Sequence, residues 1–140
     1  MANKALVLDA NILIRAVLGN RVRRIMEAHA ETVSLFVPEI AYKDAERHLA
    51  TLVTKRSGDP AKAIILLRTI ADLTELVSPE NYALFEADAR QRIGARDPDD
   101  WPILAAALAL GCPIWTEDTD FFGCGVSTWT STNVELYLTS

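Results

Sequence analysis

Cysteine is scarce in this chain: Cys112 and Cys124 are the only two among 140 residues, and they have neither zinc-ligand company nor the spacing of a disulfide framework. Both sit in apolar or Gly-rich surroundings and are expected to pack. Histidine is equally sparse, and His29 and His48 are not at metal-binding spacing, so surface, packing or substrate-contact roles remain for them. Long hydrophobic runs are missing too. The longest, Ile103 to Leu110, falls well short of the roughly 20 residues that cross a bilayer and is expected as a buried helix face. There is no Pro/Ser/Gly-rich linker, low-complexity tract or internal repeat. Met1-Ala2-Asn3-Lys4 shows no basic or apolar leader, so a cytoplasmic location is expected. Net positive charge is also lacking. At −5 the chain is unsuited to coat nucleic acid nonspecifically, which needs a broad basic surface. A hydrolytic site that gathers cations through its own acids remains open.

With 50% hydrophobic and 24% charged residues, the composition is that of one compact domain over residues 1–140. Ala5-Leu6-Val7-Leu8 is a continuous apolar run ended by Asp9, as expected of a parallel strand buried on both faces, and a helix is predicted from about Asn11. A second strand over Ser34 to Val37 meets Pro38, placed for the first turn of a helix carrying Ile40, Ala41, Ala45, Leu49 and Leu52. Asp59-Pro60 opens a helix to about Leu73, a short strand follows over Glu75 to Ser78, and Pro79-Glu80 opens a helix to about Ile93. The Ala/Leu-rich helix before Gly111 leads to a strand over Pro113 to Thr116, and Val126 to Trp129 is the last strand. Thr132-Asn133-Val134-Glu135 has the form of a capping box for a terminal helix. Trp101, Trp115 and Trp129 fall within these helix and strand patterns and are expected to pack. Alternating strands and helices imply a parallel sheet covered on both faces, with its ligand site beyond the carboxyl ends of the strands.

The acids that fall at that edge form the candidate site. Asp9 ends the first strand, and Asp118 follows the Pro113 to Thr116 strand after one residue. Asp100 leads the Ala/Leu-rich helix and Asp44 lies early in the helix after Pro38, so four carboxylates converge if both helices begin at this edge. Helical geometry puts Asp44 at the margin of the face defined by Ala41, Ala45, Leu49 and Leu52, and puts Glu39 and Glu46 more nearly in solvent. Pro102 belongs in a first helical turn, making Asp99 or Asp100 the N-cap and leaving Asp97 in the preceding loop to assist a metal, pair with Arg96 or do neither. Carboxylates about 4 Å apart repel by roughly 4 kcal/mol per pair at an effective dielectric near 20, so such a cluster needs protons or cations. Oxygen ligands without clustered His or Cys favour Mg²⁺ or Mn²⁺, and phosphodiester hydrolysis is the natural reaction class. Arg15, Arg21, Arg23 and Arg24 follow the first strand closely, where they could either meet RNA phosphates or form a solvated helix face.

Leu8-Asp9-Ala10-Asn11, the acid at Asp44, Asp100 before an Ala-rich helix, and Thr116-Glu117-Asp118 together resemble the PIN domain family over nearly the whole chain. The resemblance implies a three-layer α/β/α sandwich around a mostly parallel sheet of four to five strands. It also implies a Mg²⁺- or Mn²⁺-dependent endoribonuclease similar to VapC toxins or to solitary PIN proteins. Carried over, it makes Asp9, Asp44, Asp100 and Asp118 the acidic quartet, with Asp9, Asp100 and Asp118 as metal ligands. Asn11, Asp97, Thr116 and Asp120 would support them. Asp44 stands where the family more usually has glutamate. A cognate antitoxin and a homodimer are the implied partners, and RNA the implied substrate. The alternative is a non-catalytic RNA-binding or scaffold PIN domain. A phosphoacceptor signalling domain of similar architecture would need a lysine late in the chain, and Lys4, Lys43, Lys55 and Lys62 are all early.

Overall fold

A computed structural model of the chain describes residues 4–140. Met1, Ala2 and Asn3, on which the reading of the amino terminus rested, lie outside the described residues. The strands are β1 (Lys4–Leu8), β2 (Val33–Pro38), β3 (Glu75–Val77), β4 (Ile114–Trp115) and β5 (Thr128–Trp129). They form one parallel sheet in the order β3-β2-β1-β4-β5. The helices are α1 (Ala10–Leu18), α2 (Arg21–His29), α3 (Glu39–Lys55), α4 (Pro60–Ala71), α5 (Glu86–Ile93), α6 (Trp101–Leu110) and α7 (Val134–Leu138). Helices α1, α3 and α4 pack on one another, α5 packs on α6, and α6 lies against β1, β2 and β4. The result is the expected α/β/α sandwich. Among the described residues, no helix is long and apolar enough to cross a membrane.

Burial explains the strand order. Leu6, Val7 and Leu8 are fully buried, which is why β1 reads as a continuous apolar run and takes the centre of the sheet. Helix α6 is apolar around its whole circumference, and Pro102 to Ala107 are all buried between the sheet and α5. Gly111 ends it in the left-handed conformation (φ 65°), where a Cβ would be strained. Asp59 caps α4 by accepting from the Ala61 amide at 3.0 Å, with Pro60 in the first turn. The chain adds β2 and β3 on one side of β1 and then β4 and β5 on the other, so the parallel strands β1 and β4 bring their carboxyl ends together at the switch point where such folds place a ligand.

Several local expectations are corrected. The segment after Asp9 holds two helices, since Gly19 and Asn20 interrupt it. Pro38 ends β2 and occupies the N-cap position of α3, with extended ψ of 138°, so the helix begins at Glu39. Pro79 to Ile93 is not one helix. Single turns at Pro79–Asn81 and Ala83–Phe85 precede α5, because Tyr82 leaves helical geometry and is buried edge-on against Trp101, 5.9 Å between ring centroids. The capping box at Thr132 does not form: Asn133 takes the cap position of α7, and its Oδ1 accepts instead from the Thr130 amide and hydroxyl. The strands expected at 75–78, 113–116 and 126–129 are shorter than the patterns suggested, and α4 stops at Ala71. Trp115 is fully buried and donates to Ser131, whereas Trp101 and Trp129 are half-buried.

Candidate metal centre

Asp9 follows β1 directly and caps α1, accepting from the Ile12 amide at 3.3 Å. The β1–β4 register pairs Leu8 with Trp115 and so sets Asp9 beside Thr116. The buried Thr116 hydroxyl donates to Asp9 Oδ2, which also accepts from Asn11 Nδ2 at 3.0 Å. Asn11 in turn accepts from the Glu117 amide, and Thr116 Oγ accepts from the Asp118 amide at 2.9 Å. Asp9, Asn11, Thr116 and Asp118 are therefore one bonded unit spanning the two strand ends. Burial pushes the Asp9 carboxyl up to about 7, against the lowering effect of its donors, and the nearby Asp118 charge adds to the rise.

Asp100 arrives from the other side, at the N-cap position of α6, yet its side chain makes no capping bond. Asp97 takes the capping role for the preceding turn, Pro98–Asp100, by accepting from the Asp99 amide at 3.2 Å. That leaves Asp100 Oδ2 shut away from solvent with no hydrogen-bond partner. Desolvation foremost, then the neighbouring Asp118 and Asp97 carboxyls, push Asp100 up to about 8. Asp118 accepts from the Asp120 amide at 2.9 Å, which folds the turn after β4 and brings Asp120 into reach. Asp97, Asp100, Asp118 and Asp120 each offer a carboxylate oxygen within 4.8 Å of the others.

The sequence-predicted residues are thus sorted by the fold. Asp100 and Asp118 come together with Asp97 and Asp120. Asp9 and Asp44 stand outside that tight group but line the same cleft, of about 210 Å³, as Asp100 and Asp118. Asp44 is partly exposed and paired with Arg47 at 3.0 Å. Glu39 and Glu46 are half-buried and do not line the cleft. Arg96 forms no ion pair with Asp97, because its guanidinium goes to the carbonyls of Phe122, Arg92 and Ile93 and to Cys124 Sγ. Arg15 and Arg21 line a shallow groove beside Ile14, a residue shared with the cleft, while Arg23 pairs with Glu27 and Asn20 and Arg24 is exposed. Cys112 and Cys124 are buried and free. His48 and Asp99 also line the cleft; the sequence left His48 among surface, packing or substrate-contact roles and offered Asp99 only as a helix cap. His48 lies four residues beyond Asp44, on the same helix face, and that spacing could have found it.

The donor set fits a hard divalent cation. All four close acids offer carboxylate oxygens, one of which is buried and unpartnered, and four charges within 4.8 Å repel by roughly 3–4 kcal/mol per pair at an effective dielectric near 20 unless neutralised.

No curated protein matches the sequence. Solved structures do share the fold. A Pyrobaculum aerophilum protein superposes with a TM-score of 0.73 at 14% identity, covering 99% of this chain and 91% of its own. A chain of DNA-bound VapBC from Salmonella typhimurium gives 0.71 at 14% identity, with 93% and 99% covered. A toxin-antitoxin complex from Klebsiella pneumoniae gives 0.62 at 19% identity, with 90% and 97% covered. The PIN domain family model matches residues 7–139, from the buried end of β1 through α7, and so takes in every acid of the cleft. The chain belongs to the PIN domain family.

Proposed function

We propose that this single-domain protein is a Mg²⁺- or Mn²⁺-dependent endoribonuclease acting in the cytoplasm as the toxin of a toxin-antitoxin pair. The observation that carries the reading is the convergence of Asp97, Asp100, Asp118 and Asp120 around a buried, unpartnered Asp100 oxygen at the sheet's switch point. Asp100 and Asp118 would hold the cation, with Asp9 from the β1 side and Asp97 or Asp120 from the opposite side. A bound divalent cation would lower the pKa of the attacking water and offset charge on the phosphoryl group.

The chain's own residues do the positioning. Thr116 and Asn11 fix the Asp9 carboxylate, so both strand ends face the scissile phosphate as one rigid edge. Asp44 lies on the cleft wall formed by α3, with Oδ1 held by Arg47, and Oδ2 is available to orient the water. Arg15 and Arg21 give the RNA backbone a cationic approach past Ile14, offsetting the net negative charge of the protein. Fold relatives crystallised as toxin-antitoxin complexes support an antitoxin partner for this chain, and family resemblance supports a homodimer.

Incubation of purified protein with RNA tests the reading. Cleavage is expected with Mg²⁺ or Mn²⁺, abolition by chelation, and losses of at least about 100-fold in Asp9→Asn and Asp100→Asn. Absence of cleavage with either cation, or wild-type cleavage by Asp9→Asn, would refute it. RNA binding that survives chelation, without cleavage, would identify the non-catalytic RNA-binding or scaffold alternative.

A further inference from the structure

The four close acids come from two segments that share no strand pairing. Asp97 and Asp100 lie in the connection between α5 and α6, and Asp118 and Asp120 lie in the turn after β4. Mutual repulsion drives such segments apart whenever cations are absent, so something other than the acids must hold them together. Among the described residues, no lysine or arginine lines the cleft, and Arg47 outside it is engaged by Asp44.

Two arginines of the α5 region supply the connection. Gly94 ends α5 with φ 63°, in the left-handed half of φ that glycine tolerates, and the turn sends Arg96 back along the helix end. There the Arg96 guanidinium bonds to Ile93 O at 3.4 Å and Arg92 O at 3.2 Å, capping the negative end of α5. The same group crosses 26 residues to donate from Nη1 to Phe122 O, two residues past Asp120. Its Nη2 lies 3.3 Å from the sulfur of buried Cys124. The Cys124 thiol faces the Arg92 and Asp120 carbonyl oxygens, both at 3.7 Å. Arg92, held by Asp88 at 2.8 Å, donates to Cys124 O at 3.0 Å and passes so close to Gly125 that a Cβ there would meet it at 2.5 Å.

We propose that Arg96, with Arg92 beside it, is a positioning residue for the acidic cluster, clamping the segment that carries Asp97 and Asp100 onto the turn that carries Asp118 and Asp120. The planar fork of Arg96 is what the task requires. From within the α5–α6 connection it satisfies carbonyls at the end of α5 and on the turn after β4 at once, which a lysine ammonium on a flexible stem does less completely. Its partners are neutral carbonyls and a thiol, so the clamp leaves every cluster carboxylate available to a cation. The proposal rests on the metal-centre reading for its consequence, but the clamp itself is a property of the metal-free chain.

Amide hydrogen exchange of the metal-free protein is the test, read beside Mn²⁺ affinity by calorimetry. In Arg96→Ala, the Asp99, Asp100, Phe122 and Cys124 amides, whose acceptors lie within the two segments, are expected to exchange about tenfold faster, while the β1 and β2 amides keep their protection. Mn²⁺ affinity should fall with it, Arg96→Lys should restore part of both, and Arg56→Ala should change neither. Unchanged exchange in both segments, or acceleration spread evenly over the molecule, would overturn the clamp. Accelerated exchange in a protein whose wild type binds no Mn²⁺ would uphold the clamp and reject the metal-centre reading.

Discussion

Asp100→Asn should make the metal-free protein more stable while removing its response to metal. The Asp100 carboxyl, partly desolvated and then crowded by Asp118 and Asp97, is pushed from 3.8 up to about 8. Between about pH 4 and pH 8 it is therefore protonated in the fold and ionised in the unfolded chain, the unfolded state binds fewer protons, and stability falls as pH rises through that window. Full linkage at pH 7.5 would set the cost near 5 kcal/mol, but Asp100 is only half-buried, and solvent screening brings it to about 1–2 kcal/mol. Asparagine keeps the shape without the titration. For 140 residues this corresponds to a rise in Tm of roughly 3–7 °C at pH 7.5 with chelator present, shrinking toward zero near pH 4. Adding Mn²⁺ should raise the wild-type Tm by mass action and leave Asp100→Asn nearly unmoved. Thermal melts followed by circular dichroism read all three arms. A variant less stable than wild type in chelator at pH 7.5, or one stabilised equally by Mn²⁺, would refute the account of Asp100.

Thr116→Val removes a donor that lowers the Asp9 carboxyl, so Asp9 should titrate higher still, and the rising limb of a pH–cleavage profile should move to higher pH. An unmoved limb would show that the Asp9 proton does not govern cleavage. Leu8→Ala, at the fully buried end of β1, should cost about 2–5 kcal/mol by urea denaturation, and a loss below about 1 kcal/mol would mean that the centre of the sheet is less tightly packed than described. Arg15→Ala with Arg21→Ala should raise KM for RNA and flatten its salt dependence while leaving kcat unchanged; an altered kcat with constant KM would place those arginines elsewhere in the mechanism.

Legibility from sequence followed the range of the forces involved. Ala5 to Leu8 announced a central strand because burial on both faces leaves an unbroken apolar run. Asp59-Pro60 announced a helix start because capping is local chemistry. The interruption at Tyr82 was hidden, since its cause is a contact with Trp101 nineteen positions away, which outweighs local helix preference. Asp9, Asp100 and Asp118 could be placed at one edge from strand exits and a proline-marked helix start. Which acids lie closest together was not readable, because it depends on how the α5–α6 connection docks against the turn after β4. Sequence equally suits Asp100 to capping α6, whereas in the fold it takes that position without a capping bond and Asp97 caps the turn before it.

The central claim is that these acids form a divalent-cation site, and isothermal titration of the metal-free protein with Mn²⁺ tests it most directly. Wild type should bind Mn²⁺ saturably with proton release at pH 7, because Asp9 and Asp100 must give up protons to become ligands. Asp118→Asn should lose that binding while keeping its fold by circular dichroism. Wild type that takes up no Mn²⁺, or Asp118→Asn that binds it as tightly as wild type, would contradict the account.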